Sequence, residues 1–212
     1  MRTTQPVEIR TAEGEDLRSC LALDDSYVAT HTWQVQSVRG EPGAAPYSMQ
    51  STITMGDTPL SVTFRPVKLP RARRVSGQVA ASLREGNEVS MLARLQQWEA
   101  ADLVLLAEQG TKMCGYIVVT LVPSSGIGWI SALVVANSMR RQGIGSMLLA
   151  AARRWARYGK GQNVRAFMLE LSTKNYPGVA FCRKEGFTFC GYTDYSFNNG
   201  DVVLLFVNPV VI

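Results

Sequence analysis

The sequence predicts a mixed α/β (α+β) protein, a single domain over residues 1–212 with a strand-rich, hairpin-like insertion at about 32–78. Three patterns carry that prediction. Residues 102–207 run through apolar strand and helix patterns in the order β-β-β-α-β-α-β-β. A short alternating strand and a helix open the chain. Between the two, from Trp33 onward, apolar and polar residues alternate with the period of strands.

Taken in order, Val7 to Arg10 alternates as a strand. Glu15 and Asp16 then open a helix whose inner side is expected to carry Leu17, Leu21 and Tyr27. WQVQSV, STITM and LSVTFRPVKL read as strands, with GEPGAAP as a loop between the first two, so 32–75 is expected to be strand-and-hairpin structure. VAASLREGNEVSMLARLQQW reads as a helix weakened at Gly86. From Asp102, DLVLLAEQGTKMCGYIVVTLV makes two strands around a turn at Glu108 to Lys112, and GWISALVVANS a third. GIGSMLLAAARRWARYGKG is a helix with Ile144, Met147, Leu148, Ala151 and Trp155 on its inner face, stopped by Gly159 and Gly161. RAFMLELST is a strand, and PGVAFCRKEG a short helix with Pro177 near its start. GFTFCGYTDYSF and DVVLLFVN are strands joined at Asn198-Asn199-Gly200.

The totals exclude several classes. At 46% hydrophobic and 18% charged, the chain buries a core. No apolar run approaches about 20 residues, so no membrane span is expected. The N-terminus lacks the apolar stretch of a secretory signal. Cys20, Cys114, Cys182 and Cys190 show neither CxxC spacing nor metal-ligand spacing, and His31 is the one histidine. No metal site is expected, and the thiols read as reduced in a cytoplasm. A net charge of +5 favours anionic ligands. A polyphosphate cofactor satisfies that preference; nucleic acid is disfavoured because no binding motif is present.

The stretch RRQGIGS, residues 140–146, holds two glycines one residue apart at a helix start. A P-loop is excluded because Gly145-Ser146 lacks the lysine. A dinucleotide fingerprint fits poorly: Leu148 occupies the third glycine position, and Glu170 lies inside its strand. What remains is a strand-to-helix turn whose amides, Arg141 to Ser146, bind a pyrophosphate at a helix N-terminus, with Arg140 and Arg141 adding charge. Against this stands a plain packing turn.

The order strand, Arg140-x-x-Gly143-x-Gly145, helix, strand, then Asn175-Tyr-Pro-Gly-Val-Ala-Phe-Cys-Arg-Lys-Glu-Gly186-Phe187 resembles the GNAT superfamily of acetyl-CoA-dependent N-acetyltransferases. The resemblance covers 7–28 loosely and 102–207 well. The tail GFTFCGYTD…GDVVLLF looks like the streptothricin-acetyltransferase branch. The resemblance implies a central mixed, mostly antiparallel sheet flanked by helices, and acetyl-CoA as cofactor. It implies that Leu133, Val134 and Val135 pair with the pantetheine arm through their backbone. The pyrophosphate would be held by Arg140, Arg141, Gln142, Gly143, Ile144, Gly145 and Ser146. Asn175 would contact the thioester end and Phe181 the pantetheine path.

Acetylation needs a neutral amine, and an alkyl ammonium has a pKa of about 10, so a base or water chain must take its proton. Glu170 is the best-placed carboxylate, ahead of Asp194 and Asp102. The family often places a tyrosine where this chain has Cys182, a weak hydrogen-bonding group. Tyr176 and Tyr192 are the candidate acids in its place. Asp24, Asp25 and Trp33 form a candidate pocket for a cationic amine. The insertion strands form a candidate homodimer contact. The expected activity is transfer of acetyl to a small-molecule amine in a ternary complex. The rivals are an enzyme using another acyl donor or acetylating a protein N-terminus or lysine, and an acyl-CoA-sensing module without turnover.

Overall fold

The computed structural model describes residues 5–38, 49–55, 58–75, 96, 98–159, 164–193 and 202–210. The chain divides into two compact units. The first comprises Met1–Ser26, Ser76–Met168 and Pro209–Ile212; the second comprises Tyr27–Val75 and Leu169–Asn208.

In the first unit, strands β1 (Val7–Thr11), β5 (Leu103–Gln109), β6 (Lys112–Val122), β7 (Ile127–Val135) and the start of β8 (Ala166–Ser172) hydrogen-bond in the order β1-β5-β6-β7-β8. The pairings are antiparallel except β7 with β8, which is parallel. Leu103 to Ala107 are all buried, which explains the unbroken apolar run LVLLA. A strand covered on both faces cannot alternate. Val104 and Leu106 pack in one cluster with Cys20, Tyr116, Val118 and Val134. Each such side chain contributes about 1.5–3 kcal/mol of burial.

Helix α2 (Ile144–Tyr158) packs on β1, β5, β6 and β7. Its buried face is Ile144, Leu148, Leu149, Ala152 and Ala156. This corrects the expected stripe. Met147 is an exposed large hydrophobic, while Ala151 and Trp155 are half-buried, so the face is rotated toward Leu149 and Ala152. Gly159 ends the helix, its N–H bonded to the Trp155 carbonyl at 2.8 Å. Gly161, the second expected stop, lies outside the described residues.

The opening helix is shorter than its sequence suggests. A 3-10 turn at Gly14–Asp16 leads into α1 (Leu17–Leu21), and the chain leaves the helix at Ala22. Tyr27 is not on α1; it begins β2 (Tyr27–Val38). Arg10 on β1 bonds both Asp16, at 2.7 Å, and Glu108 on β5, at 2.8 Å.

In the second unit, β2, β3 (Met49–Met55) and β4 (Thr58–Val75) form an antiparallel sheet in the order β2-β4-β3. These three strands carry the expected WQVQSV, STITM and LSVTFRPVKL, and the first starts at Tyr27, ahead of the expected Thr32. The rest of β8 leads to β10 (Val203–Pro209) and β9 (Thr188–Thr193) in the order β8-β10-β9. Helix α3 (Tyr176–Lys184) packs on β2. Phe64, Phe189 and Phe206 are buried there, with Phe189 edge-on to both others. The expected helix at 79–98 falls almost wholly outside the described residues, as does the turn at 198–200.

Candidate functional site

The first unit supplies an open strand edge. Val118 pairs with Ala132 and Val119 with Ile130, which leaves Ser131 as the extra residue of a bulge in β7. On its other side, β7 pairs with β8 through Ile127, Gly128 and Trp129 only. Leu133, Val134 and Val135 lie beyond the end of that ladder. The Ser131 hydroxyl is buried and has no hydrogen-bond partner among the described residues. Such an atom carries a desolvation cost unless something meets it. Gly115 faces Val135, and a Cβ there would come 2.5 Å from the Val134 carbonyl oxygen, so only glycine admits this approach of β6 to β7.

The strand then feeds the glycine turn. The Ala136 amide bonds the Cys114 carbonyl at 2.8 Å, and a 3-10 turn over Asn137–Met139 buries Met139. Arg140 is extended, and its guanidinium donates to the carbonyls of Val135, Ser26 and Asp24. Its fork ties the turn to the segment after α1. Arg141 and Gly143 both have positive φ, 64° and 84°. A left-handed arginine is uncommon and costs about 1–3 kcal/mol. Left-handed residues alternating with others turn backbone N–H groups toward one side, the geometry of an anion nest. Gln142 is exposed and donates to the Ser138 carbonyl at 3.2 Å. Ile144 is buried and roots the helix, while Gly145 and Ser146 lie in the first turn. No acidic residue occupies that turn, so the positive helix end is not neutralised. A Cβ on Gly143 would meet nothing within 4 Å.

The second unit holds the acid–base candidates. Glu170 is half-buried on β8, and burial alone pushes its carboxyl above the usual glutamate value. Asn175 caps α3: its Oδ1 accepts the Gly178 N–H at 2.9 Å. Tyr176, the first helical residue, stacks on His31 with ring centroids 4.7 Å apart and lies 6.2 Å from Trp33. The Trp33 amide donates to the Thr173 carbonyl at 2.9 Å, which fixes β2 beside the end of β8. Tyr192 is elsewhere, 42% exposed and edge-on to Phe64 at 5.4 Å. Phe181 is half-buried on α3. Cys182 is buried, and that burial pushes its thiol up to about 12.

Asp24 and Asp102 each have hydrogen-bond partners of their own. Asp24 lies in the first unit, and its carboxylate accepts from Asn137 at 2.7 Å and from the Ser26 amide at 3.0 Å. Trp33 lies in the second unit. Asp102 accepts the Leu121 amide at 2.6 Å and so closes a backbone connection. Asp194 is outside the described residues. Three features were not expected: the Ser131 bulge, the His31–Tyr176 stack, and a cationic cavity at Arg71, Arg73 and Lys174. The lone histidine and the cluster of arginines at 71–74 were their signals in the sequence. Among the described residues, no group of His, Cys, Asp or Glu could hold a metal ion. None of the described helices is long and apolar enough to cross a membrane.

The chain belongs to the acetyltransferase (GNAT) family, whose model matches residues 77–187. Among curated proteins it is 29% identical over 126 residues to N-alpha-acetyltransferase 60 of Drosophila melanogaster, covering 59% of this chain and 41% of that protein. The aligned part is thus under half of that relative's length. Among solved structures, nourseothricin acetyltransferase matches with a TM-score of 0.71 at 18% identity, over 97% of this chain and 99% of that one. A Bacillus anthracis str. Ames protein assigned to streptothricin acetylation, solved with acetyl coenzyme A, matches with a TM-score of 0.67 at 19% identity, over 96% and 98%. At that identity the likeness is one of fold.

The residues present fit the coenzyme this family implies. The Arg141–Gly143 nest suits a pyrophosphate, the open space at Gly143 admits close approach, and the orphaned Ser131 hydroxyl sits where the β7 edge is free of β8.

Proposed function

We propose that the chain moves an acetyl group from acetyl-CoA to a primary amine of a small molecule, by direct attack in a ternary complex. The observation that carries this reading is the pair of left-handed residues, Arg141 and Gly143, at an unneutralised helix N-terminus. The amides of Arg141 to Ser146 hold the pyrophosphate. Arg141, exposed, adds charge to it; Arg140 instead braces the turn through three carbonyls. The backbone of Leu133, Val134 and Val135 pairs with the pantetheine arm, with Asn175 and Phe181 toward its end.

When bound, the coenzyme supplies an acetyl group activated as a thioester. The chain's own work is to free the amine's lone pair and place it. Glu170 takes the ammonium proton, directly or through water, and its raised carboxyl value brings it nearer the amine's. Tyr176 is the better candidate than Tyr192 to return a proton to the leaving thiolate, because stacking on His31 fixes its ring. Orientation supplies much of the remaining rate. The cysteines, all unpaired, agree with action in the cytoplasm. The edge strand β3 offers pairing to a second copy.

A protein N-terminus as acceptor is the second reading, favoured by the Drosophila melanogaster relative. Thermal stabilisation of the purified protein by acetyl-CoA and CoA, with NADH and ATP as controls, tests the cofactor. Thiol release with a panel of amines against a panel of peptides then separates the two acceptors. No shift with acetyl-CoA, or an equal one with ATP, removes the reading.

A further inference from the structure

The pairing of β2 with β4 breaks at one place. Ala29 faces Arg73, but His31 faces Lys68, so Thr30 alone opposes the stretch Leu69 to Ala72. Pro70 sits in that stretch and has no N–H to return to the ladder. The strand therefore arches away, and a cavity of about 460 Å³ opens beneath the arch. Its apolar lining is Ala29, Leu69, Pro70 and Val75; its polar lining is Arg71, Arg73 and Lys174. No acidic side chain is among the described residues that line it. The whole lining belongs to the second unit.

We propose that this cavity binds the carboxylate of an apolar organic acid, and that the amine acceptor carries that group. The Arg71 and Arg73 guanidiniums beside an apolar floor favour a ligand that is both anionic and greasy. Inorganic phosphate would leave the floor uncovered. A cationic amine would be repelled. Arginine forks match a carboxylate in geometry as well as charge. Two routes lead from the cavity to the same ring pair. Along β2, Ala29 is two residues from His31, about 7 Å at strand spacing. Along the turn before α3, Lys174 is two residues from Tyr176, which stacks on His31. An acceptor held by its carboxylate thus extends its other end toward Tyr176.

The acceptor half of this proposal rests on the acetyltransferase reading above; the binding half does not. The test uses a matched pair, 4-(aminomethyl)benzoate and benzylamine, which differ only in the carboxylate. Calorimetry on the purified full chain should show the benzoate binding at least tenfold more tightly. The double variant R71Q/R73Q should lose about tenfold of that affinity or more, while benzylamine binds no more weakly and acetyl-CoA binds as before. In turnover, kcat/KM should favour the benzoate in the wild type and lose that preference in the variant.

Equal binding of the two amines, no benzoate binding at millimolar concentration, or binding indifferent to R71Q/R73Q overturns the proposal. CoA and dephospho-CoA distinguish another source of the same charge. If R71Q/R73Q weakens CoA but spares dephospho-CoA, the cations serve the coenzyme's 3′-phosphate and the proposal falls. Failure of acetyl-CoA to bind at all would instead remove the proposed function, and leave the benzoate result to be read by itself.

Discussion

The Tyr176 ring stacks on the His31 imidazole, with centroids 4.7 Å apart and planes inclined by 28°. This contact holds the first residue of α3 against β2, and it separates two roles that one substitution would confound. Tyr176→Phe keeps the stack and deletes the hydroxyl. If that hydroxyl protonates the leaving thiolate, kcat should fall by about 10²-fold with little change in KM, since general acid catalysis is worth about 10²–10⁴. Tyr176→Ala should also lower stability by about 1–3 kcal/mol through lost ring packing. A Phe variant with wild-type kcat would leave Tyr176 as packing alone.

Gly143 offers a cleaner test of the phosphate turn. Its φ of 84° strains any L side chain, yet a Cβ there would meet nothing within 4 Å. Gly143→Val should therefore fold, at a cost of about 1–2 kcal/mol, or about 2–8 °C in Tm. Its stabilisation by acetyl-CoA should vanish, because the side chain fills the approach of a phosphate. An unchanged ligand-induced shift would make the turn a packing device.

The glycine turn was legible because its chemistry is local: two glycines, flanking arginines and a helix start all fall within a few residues. The strand order after Asp102 was legible for the same reason. The cavity was not. The bulge at Thr30 is a register relation with residues about forty positions away, and no local pattern encodes register. Pro70 inside an alternating run hinted at the break, as the arginines at 71–74 hinted at its charge. Tyr27 falls off the expected helix because helix and strand periods agree over so short a span. Met147 falls on the exposed face because one step of rotation in the helical wheel swaps exposed for buried.

Glu170 sits half-buried with no cation among the causes of its shift, so its carboxyl titrates above the usual value. A raised carboxyl value favours the protonated fold: this contribution to stability is full below the unfolded value and is lost as pH rises through the folded one. Glu170→Gln should remove that loss, so the variant gains on the wild type as pH rises toward neutrality in thermal melts. Its activity should move the other way. As a base, Glu170 must be ionised, and kcat/KM in the wild type should climb through the raised value. Glu170→Gln should lose that limb and about 10² or more in rate. A variant melting and turning over like the wild type at every pH would make Glu170 an ordinary strand residue.

The four cysteines should differ sharply toward a thiol reagent. Cys20, Cys114 and Cys182 are buried, and Cys190 is exposed. Burial pushes Cys20 and Cys182 up to about 12, so neither carries thiolate near neutral pH. Mass spectrometry after brief alkylation of the native chain should show one label, on Cys190, and four after unfolding. Rapid native labelling of Cys182 would place a reactive thiol where the family often carries tyrosine, and would reopen its part in catalysis.

Arg10 joins β1 to β5 and to the turn before α1, through Glu108 and Asp16. The guanidinium's hydrogen bond, above all, holds the Asp16 carboxyl at about 2, below its ordinary value of 3.8. A lowered carboxyl value contributes stability above the unfolded value, and that contribution is lost as pH falls through the folded one. The window is therefore about pH 4 down to about pH 2. Arg10 is 40% exposed, so solvent and salt screen the pair. Asp16→Asn should cost only about 0.5–1 kcal/mol at neutral pH. The difference between wild type and variant in urea midpoints should shrink as the solution is taken from pH 4 to pH 2, and shrink also in high salt. A difference that does not shrink toward pH 2 would assign the effect to packing and not to the ion pair, because the amide oxygen of Asp16→Asn can still accept the Glu13 N–H that Asp16 accepts at 2.8 Å.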